Sequence, residues 1–306
     1  VRGIESGGPI VWNLGYFQPY SFTKGAFSMA TTTASLDIKE LKEIARKARI
    51  NVIKMVHEAG SGHPGGSLSA MDIMTVLMFR YLKHDPKNPR WEERDRFVLS
   101  KGHCIPAWYA LQAKAGYFPE EDLLSLRKID SPLQGHPVNT MFAGVEACTG
   151  SLGQGLSVAM GMAMGAKVSG EDWKVYCMIG DGESQEGQIW EALLAAPKFK
   201  LDNLIVILDN NKGQIDGPVA EVMPLDPIGD KLRAFNWHVI EIDGHDYDGI
   251  GKAFEEAQTV KGKPVFIWAD TVKGKGVSFM EGVIDWHGKA PTAEEMEKAL
   301  AELGTI

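Results

Sequence analysis

Trp173-Lys174-Val175-Tyr176-Cys177-Met178-Ile179-Gly180-Asp181-Gly182-Glu183-Ser184-Gln185-Glu186-Gly187 is the stretch on which the reading of this chain turns. The run to Ile179 has the composition of a strand buried in a sheet, and Gly187 to Phe199 has the pattern of a helix. A second unit of the same kind comes next. Leu204 to Leu208 reads as a buried strand and runs into Asp209-Asn210-Asn211-Lys212-Gly213-Gln214-Ile215-Asp216-Gly217. Parallel sheets place their ligands at the carboxyl ends of their strands. The spacing therefore predicts Asp181 and Asn211 side by side at one rim of a sheet.

One carboxylate, one amide oxygen and a nearby backbone carbonyl make a hard oxygen site of the kind magnesium or calcium prefers. Such a site is incomplete. The missing oxygens fit a diphosphate, which Gly182 would let approach the backbone closely. A bare Gly-Asp-Gly is usually only a turn. The strand before it, the helix after it and Asn211 thirty positions after Asp181 give it meaning.

Outward from this centre the chain alternates. Asp37 and Glu40 have capping-box spacing, and Ile38, Leu41, Ala45, Ala48, Val52 and Val56 keep one apolar face as far as Gly60. A Gly-rich turn, Ser61 to Gly66, leads into a second helix through Met71, Ile73, Met74 and Leu77, which Pro86 and Pro89 break. Arg96 to Ser100 predicts a short strand, with helices from Ile105 and over 120–128. Gly150 to Gly155 opens a helix of small residues reaching about Lys167. Strands over 174–179, 203–208, 238–242 and 264–269 are separated by helices over 187–199, 230–236 and 249–259, and a charged helix covers 292–303. This is an α/β pattern, a doubly wound and mostly parallel sheet flanked by helices. Residues 29–306 are expected to form one domain. Residues 1–28, rich in Gly and aromatics and without the apolar core of a signal peptide, are expected to be an irregular leader or extension.

Composition narrows the function. The 306 residues are 44% hydrophobic, enough for a sizeable core, and the net charge of −8 favours neither nucleic acid nor acidic membranes. No apolar run approaches a membrane span. Cys104, Cys148 and Cys177 lack metal-ligand spacing and fit a reducing, cytoplasmic setting.

Four of the eight histidines sit in Gly-bounded loops: Ser61-Gly62-His63-Pro64-Gly65, Ser100-Lys101-Gly102-His103, Gln134-Gly135-His136-Pro137 and Trp286-His287-Gly288-Lys289. Core packing does not explain them, and loops on a rigid scaffold are where catalytic groups concentrate. Imidazoles suit a sugar, because they bond hydroxyls and carbonyls and move protons near neutral pH. His57, His84 and His238 lack that setting and read as structural, while His245 stays undecided.

In order, these segments resemble transketolase: Ser-Gly-His-Pro-Gly, Leu-Ser-Lys-Gly-His, Gly-His-Pro, Thr-Gly-Ser-Leu-Gly-Gln-Gly, Gly-Asp-Gly, Asp-Gly-His-Asp and His-Gly-Lys, over about residues 38–291. The resemblance implies thiamine diphosphate held with Mg2+ or Ca2+. It places the metal on Asp181, Asn211 and the carbonyl of Gly213. It assigns the cofactor to Lys101, His103, Gly150, Leu152, Gly182, Glu183, Asn211, Ile215, Lys273 and His287, with Gln214 nearby. It makes His63, His103, His136 and His287 the imidazoles that bind the sugar or assist proton transfer. Glu186 and Glu191 match acidic positions at the family's dimer interface.

The departure from the family pattern lies beyond the His-Gly-Lys segment. In transketolases a pyrimidine-binding half supplies the glutamate for the cofactor's N1′, the aromatic slot for its pyrimidine and the phosphate-gripping arginines. This chain reaches only Ile306. The expected reading is the N-terminal subunit of a split transketolase. With a C-terminal, pyrimidine-binding subunit it would form a heterotetramer and transfer a two-carbon ketol unit between sugar phosphates. The alternatives are a transketolase-like enzyme for modified sugars, another two-chain thiamine diphosphate enzyme, or a non-catalytic cofactor-binding subunit.

Overall fold

Among the described residues seven strands succeed one another: β1 (Arg96–Leu99), β2 (Val175–Gly180), β3 (Leu204–Asn210), β4 (Gly213–Gln214), β5 (Gly217–Pro218), β6 (His238–Asp243) and β7 (Val265–Asp270). The computed structural model, which describes residues 36–304, pairs β4 with β5 as a small antiparallel hairpin. The other five form one parallel sheet in the order β1-β2-β3-β7-β6. The chain steps from β1 to β3, jumps to the far edge at β6 and returns to β7. Because crossovers keep one hand, that reversal places helices on both faces.

Alternate residues of each strand serve opposite faces. Tyr176, Met178, Ile205, Ile207, Val265 and Ile267 pack with α1 (Ile38–Ala59), α2 (Pro64–Ser69), α3 (Met71–Val76) and α4 (Ile105–Ala115). Val175, Cys177, Ile179, Leu204, Val206 and Leu208 pack with α5 (Gln154–Ser169), α6 (Gly187–Lys198) and, beyond the short α7 (Val219–Val222), α8 (Ile228–Ala234). Helices α9 (Tyr247–Thr259) and α10 (Ala293–Gly304) join the first core. The register levels the carboxyl ends: Gly180 pairs with Asp209, and Asp209 with Ala269. The loops leaving β2, β3 and β7 therefore emerge at the same rim.

The capping box at Asp37 and Glu40 is formed in both directions, at 2.8 and 2.7 Å. Four elements differ from expectation. The second helix is divided into α2, α3 and a π-helical turn, Leu77–Tyr81. In α2, Ser67 and Ser69 turn their hydroxyls onto the carbonyls of His63 and Gly66, a competition that bends helices. Residues 120–128 form only a 3-10 turn, Glu120–Ser125, because Leu126 at ψ 127° leaves the helical region and Arg127 follows with a left-handed φ of 61°. Helix α5 starts at Gln154 rather than in the glycine run, since Gly153 at φ 87° breaks the helical path. Strand β3 runs two residues past Leu208, which carries Asp209 inside the sheet.

Cys104, Cys148 and Cys177 are free. No helix among the described residues is long and apolar enough to cross a membrane. The leader expected over residues 1–28 lies outside the described residues.

Candidate active site

Asp181 leaves β2 and Asn211 leaves β3, and the structure brings them together at the rim. Asp181, 3% exposed, accepts from the Gly182 N–H at 2.7 Å and from the Lys212 N–H at 2.5 Å, so its carboxylate spans the two turns. The Asn211 amide nitrogen donates to Asp209 at 3.0 Å and to Ser69 at 3.2 Å. That anchorage turns its oxygen the other way, toward the Gly213 N–H at 3.2 Å. Burial first, then the neighbouring Asp209 carboxylate, pushes Asp181 up to about 6. A divalent cation would reverse that cost.

The donor set fits a hard cation that keeps part of its shell for a diphosphate. Among the described residues no three His, Cys, Asp or Glu side chains gather as a metal group, so one carboxylate, one amide and the Gly213 carbonyl would be the protein's share. The backbone is bare where a diphosphate would need it. A Cβ on Gly182 would stand 2.9 Å from Cβ of Gln214. Ile215 comes next at the hairpin, 70% exposed beside the rim.

All four loop histidines converge. His63 caps the start of α2, His103 lies in a 3-10 turn after β1, His136 precedes the Gly150 loop, and His287 ends the turn Ile284–His287. Ring centroids of His63 lie 5.1 Å from His103, 6.2 Å from His136 and 5.6 Å from His287, and His103 lies 5.1 Å from His287. Burial, then neighbouring cations, lowers all four pKa values. His63 falls to about 4 and His287 to about 3, and His103 drops well below its ordinary value. Near pH 7 the cluster is a set of neutral imidazoles, each with one donor and one acceptor.

Two lysines lie beneath it. Lys101 forms a buried ion pair with Asp209, and Lys273, 2% exposed, directs its ammonium to His287 Nδ1 at 3.2 Å. Burial depresses Lys101, but the Asp209 carboxylate outweighs it and holds the ammonium above its usual range. Burial and Lys101 instead lower Lys273. Gly150 packs under His136, where a Cβ would lie 3.1 Å from the ring. Leu152 is half-buried in the same loop. Glu183 takes part indirectly. Its buried carboxylate accepts from Ser100, from the Gly153 N–H at 3.0 Å and from the Gly180 N–H at 3.0 Å, tying the Leu152 loop to the end of β2.

Sequence reasoning missed Asp209, Ser69, Thr271 and Arg127. Asp209 accepts from Ser69 at 2.7 Å, and Thr271 and Lys101 also donate to it. Its signal was a charged residue continuing an apolar strand run. Arg127 donates to Ser61 Oγ at 3.2 Å and to the Gly135 carbonyl at 3.4 Å, and its charge helps lower His63 and His136. Nothing local in the sequence marks it. His57, His84 and His238 bond within the scaffold, to Pro291, to Tyr117 and Met78, and to Glu256.

Residues 40–305 match the family model described as "Transketolase, thiamine diphosphate binding domain". The chain is similar to the 6-deoxy-6-sulfo-D-fructose transketolase subunit SqwG of Clostridium sp. (strain MSTE9), 46% identical over 88% of this chain and 96% of that protein. It is also similar to a subunit of the apulose-4-phosphate transketolase of Actinobacillus succinogenes, 45% identical over 88% of this chain and 97% of that protein. A crystal structure of transketolase from Campylobacter jejuni superposes with a TM-score of 0.84 and 40% identity, over 88% of this chain but 43% of that longer one.

Proposed function

We propose that this chain, which belongs to the transketolase family, works as the diphosphate-binding half of a two-chain enzyme that moves a two-carbon ketol group between sugars. The observation that carries the reading is the convergence of four imidazoles in one cluster, in a fold that also brings Asp181 and Asn211 together at the rim of its sheet. Thiamine diphosphate, when bound, supplies the carbon nucleophile and electron sink for breaking and remaking a carbon–carbon bond. Magnesium is the cation proposed for Asp181, Asn211 and the Gly213 carbonyl, with Gly182 presenting bare backbone to the diphosphate. Leu152, positioned by Glu183 through Gly153, and Ile215 supply apolar contact on either side.

The chain's own residues bind the substrate and manage its protons. His63, His103, His136 and His287 are neutral near pH 7, so they can hydrogen-bond a ketose carbonyl and hydroxyls and take or return a proton. Lys101 is locked by Asp209 and acts as fixed positive charge below them. Lys273, in contact with His287, orients that ring.

A separate pyrimidine-binding chain is the proposed partner, assembled with this one as a heterotetramer in the cytoplasm. The two similar proteins spanned almost to their full length are named as subunits, for a sulfonated ketose in one case and a phosphorylated one in the other. The proposed substrates are accordingly ketoses with an anionic group at the far end. The test is reconstitution with the pyrimidine-binding chain, thiamine diphosphate and magnesium, offering xylulose 5-phosphate or a 6-sulfonated ketose with an aldose phosphate. Ketol transfer by the pair and none by either chain alone is the expected result. Transfer at ordinary enzymic rates by this chain alone would overturn the two-chain reading.

A further inference from the structure

We propose that His245 is a positioning residue for His287, acting through the backbone of Val272 and the side chain of Lys273, with Asp72 fixing its tautomer. His245 lies in the turn after β6, outside the four-imidazole cluster. Its ring joins a buried polar group that the transketolase reading leaves without a task.

Asp72 on α3 is 5% exposed and accepts four side-chain hydrogen bonds. Arg49 Nη1 and Nη2 donate at 2.9 and 2.7 Å, the Tyr247 hydroxyl at 2.6 Å and His245 Nδ1 at 2.8 Å. Burial acts to raise its pKa, but Arg49 and the other donors prevail and hold the carboxyl well below the usual range. An ionised carboxylate can only accept. On its other side, the His245 ring meets the Val272 N–H, with 2.9 Å between Val272 N and His245 Nε2. A backbone amide can only donate, so Nε2 carries the lone pair and Nδ1 carries the proton given to Asp72. Both ring nitrogens are thereby assigned.

Arg49 makes the second connection. Its Nε donates to the Lys275 carbonyl at 3.0 Å. Two backbone groups of the segment after β7, at Val272 and at Lys275, are thus each held by a side chain bound to Asp72. Lys273 lies between them and points its ammonium at His287 Nδ1. Because an ammonium has no acceptor, His287 Nδ1 must accept, and the proton of its neutral ring sits on Nε2. The relay from Asp72 through His245, Val272 and Lys273 therefore determines which nitrogen of His287 is free to donate.

The kinetic arm of the test rests on the ketol-transfer reading, whereas the spectroscopic arm does not. In the two-chain complex uniformly labelled with 15N, wild type should show His287 as the Nε2–H tautomer and a nitrogen–nitrogen coupling between Val272 and His245 across their hydrogen bond. His245→Ala should shift His287 toward a mixed tautomer. It should lower kcat by about tenfold or more at little change in ketose KM, as expected when a reacting group is misplaced. An unchanged His287 spectrum in His245→Ala, or no Val272–His245 coupling in wild type, overturns the proposal. The coupling is read without any variant, so a misfolded substitution does not block the test. A His287 response with no ketol transfer by wild type would leave the positioning intact and refute the functional reading instead.

Discussion

Lys101 and Asp209 meet in a buried ion pair over the end of β2, one residue leaving β1 and the other lying within β3. Ser69 from α2 and Thr271 from the segment after β7 donate to the same carboxylate. The pair therefore joins four segments that are far apart in sequence, directly below the histidines. Removing either partner strands the other as an isolated buried charge.

Lys101→Met leaves a buried carboxylate without its counter-charge, and breaking such a pair costs about 3–5 kcal/mol. Urea unfolding of wild type and variant, with the slope checked for constancy, measures it. A loss below about 1 kcal/mol would mean that Ser69, Thr271 and Asn211 already compensate Asp209 by themselves.

Asp181→Ala should abolish magnesium-dependent retention of thiamine diphosphate by the reconstituted pair, because the remaining amide and carbonyl are too few for a hard cation. Isothermal calorimetry in magnesium gives the answer. An affinity equal to wild type refutes the metal assignment.

His103→Ala and His287→Ala should each slow turnover by roughly a hundredfold, the effect of one hydrogen bond to developing charge, about 3 kcal/mol. Both rings come from loops, so the fold should persist by circular dichroism. A variant within about twofold of wild type at saturating ketose would remove that ring from the proposed mechanism.

The cluster also makes a pH prediction. His63 and His287 fold with values of about 4 and about 3, below the 6.5 of a free imidazole, because burial opposes their charge. As pH falls below 6.5 the unfolded chain takes up protons that the folded chain refuses, so stability declines toward the folded values. Above that window the two rings contribute nothing. Unfolding midpoints of wild type should drop faster on acidification than those of His63→Asn/His287→Asn. Parallel curves would show that the rings are not held neutral.

Helix α6 exposes Leu194 at 62%, with Phe199 just beyond it at 49%. Glu186 and Glu191 are exposed near its start, where the helix dipole favours acids. As part of the proposed partner surface, this face should drive self-association of the isolated chain. Leu194→Glu should lower the sedimentation coefficient of that species and weaken capture of the pyrimidine-binding chain. Unchanged sedimentation and capture would place the interface elsewhere.

Much of this architecture is visible in local sequence. The strands of the sheet are short apolar runs, and the imidazole loops carry their own Gly and Pro punctuation, which is why His63, His103, His136 and His287 can be singled out before their convergence is seen. The late start of helix α5 is not legible, because nothing in the sequence distinguishes the left-handed Gly153 that delays it from Gly150 or Gly155. Glu183 reads as a ligand beside Gly-Asp-Gly, yet its oxygens are spent on Gly153 and Gly180, a consequence of the loop folding back over β2. Asp209 and Asp72 are hidden for a different reason. Their partners lie far away in sequence, and neither composition nor period encodes which distant donor a buried carboxylate will meet.

Asp181 and Asn211 come from neighbouring strands in the middle of the sheet, within a stretch of some thirty residues, whereas the imidazoles are drawn from loops spanning 63 to 287. During refolding, the cation ligands can come into register once β2 and β3 have paired. The ring cluster waits for β7 and the turn beyond it to close. Binding of a cation together with inorganic diphosphate would thus report an early event, and binding of a ligand that touches the rings a late one. The interval between the two signals would time the docking of the carboxyl-terminal third of the chain.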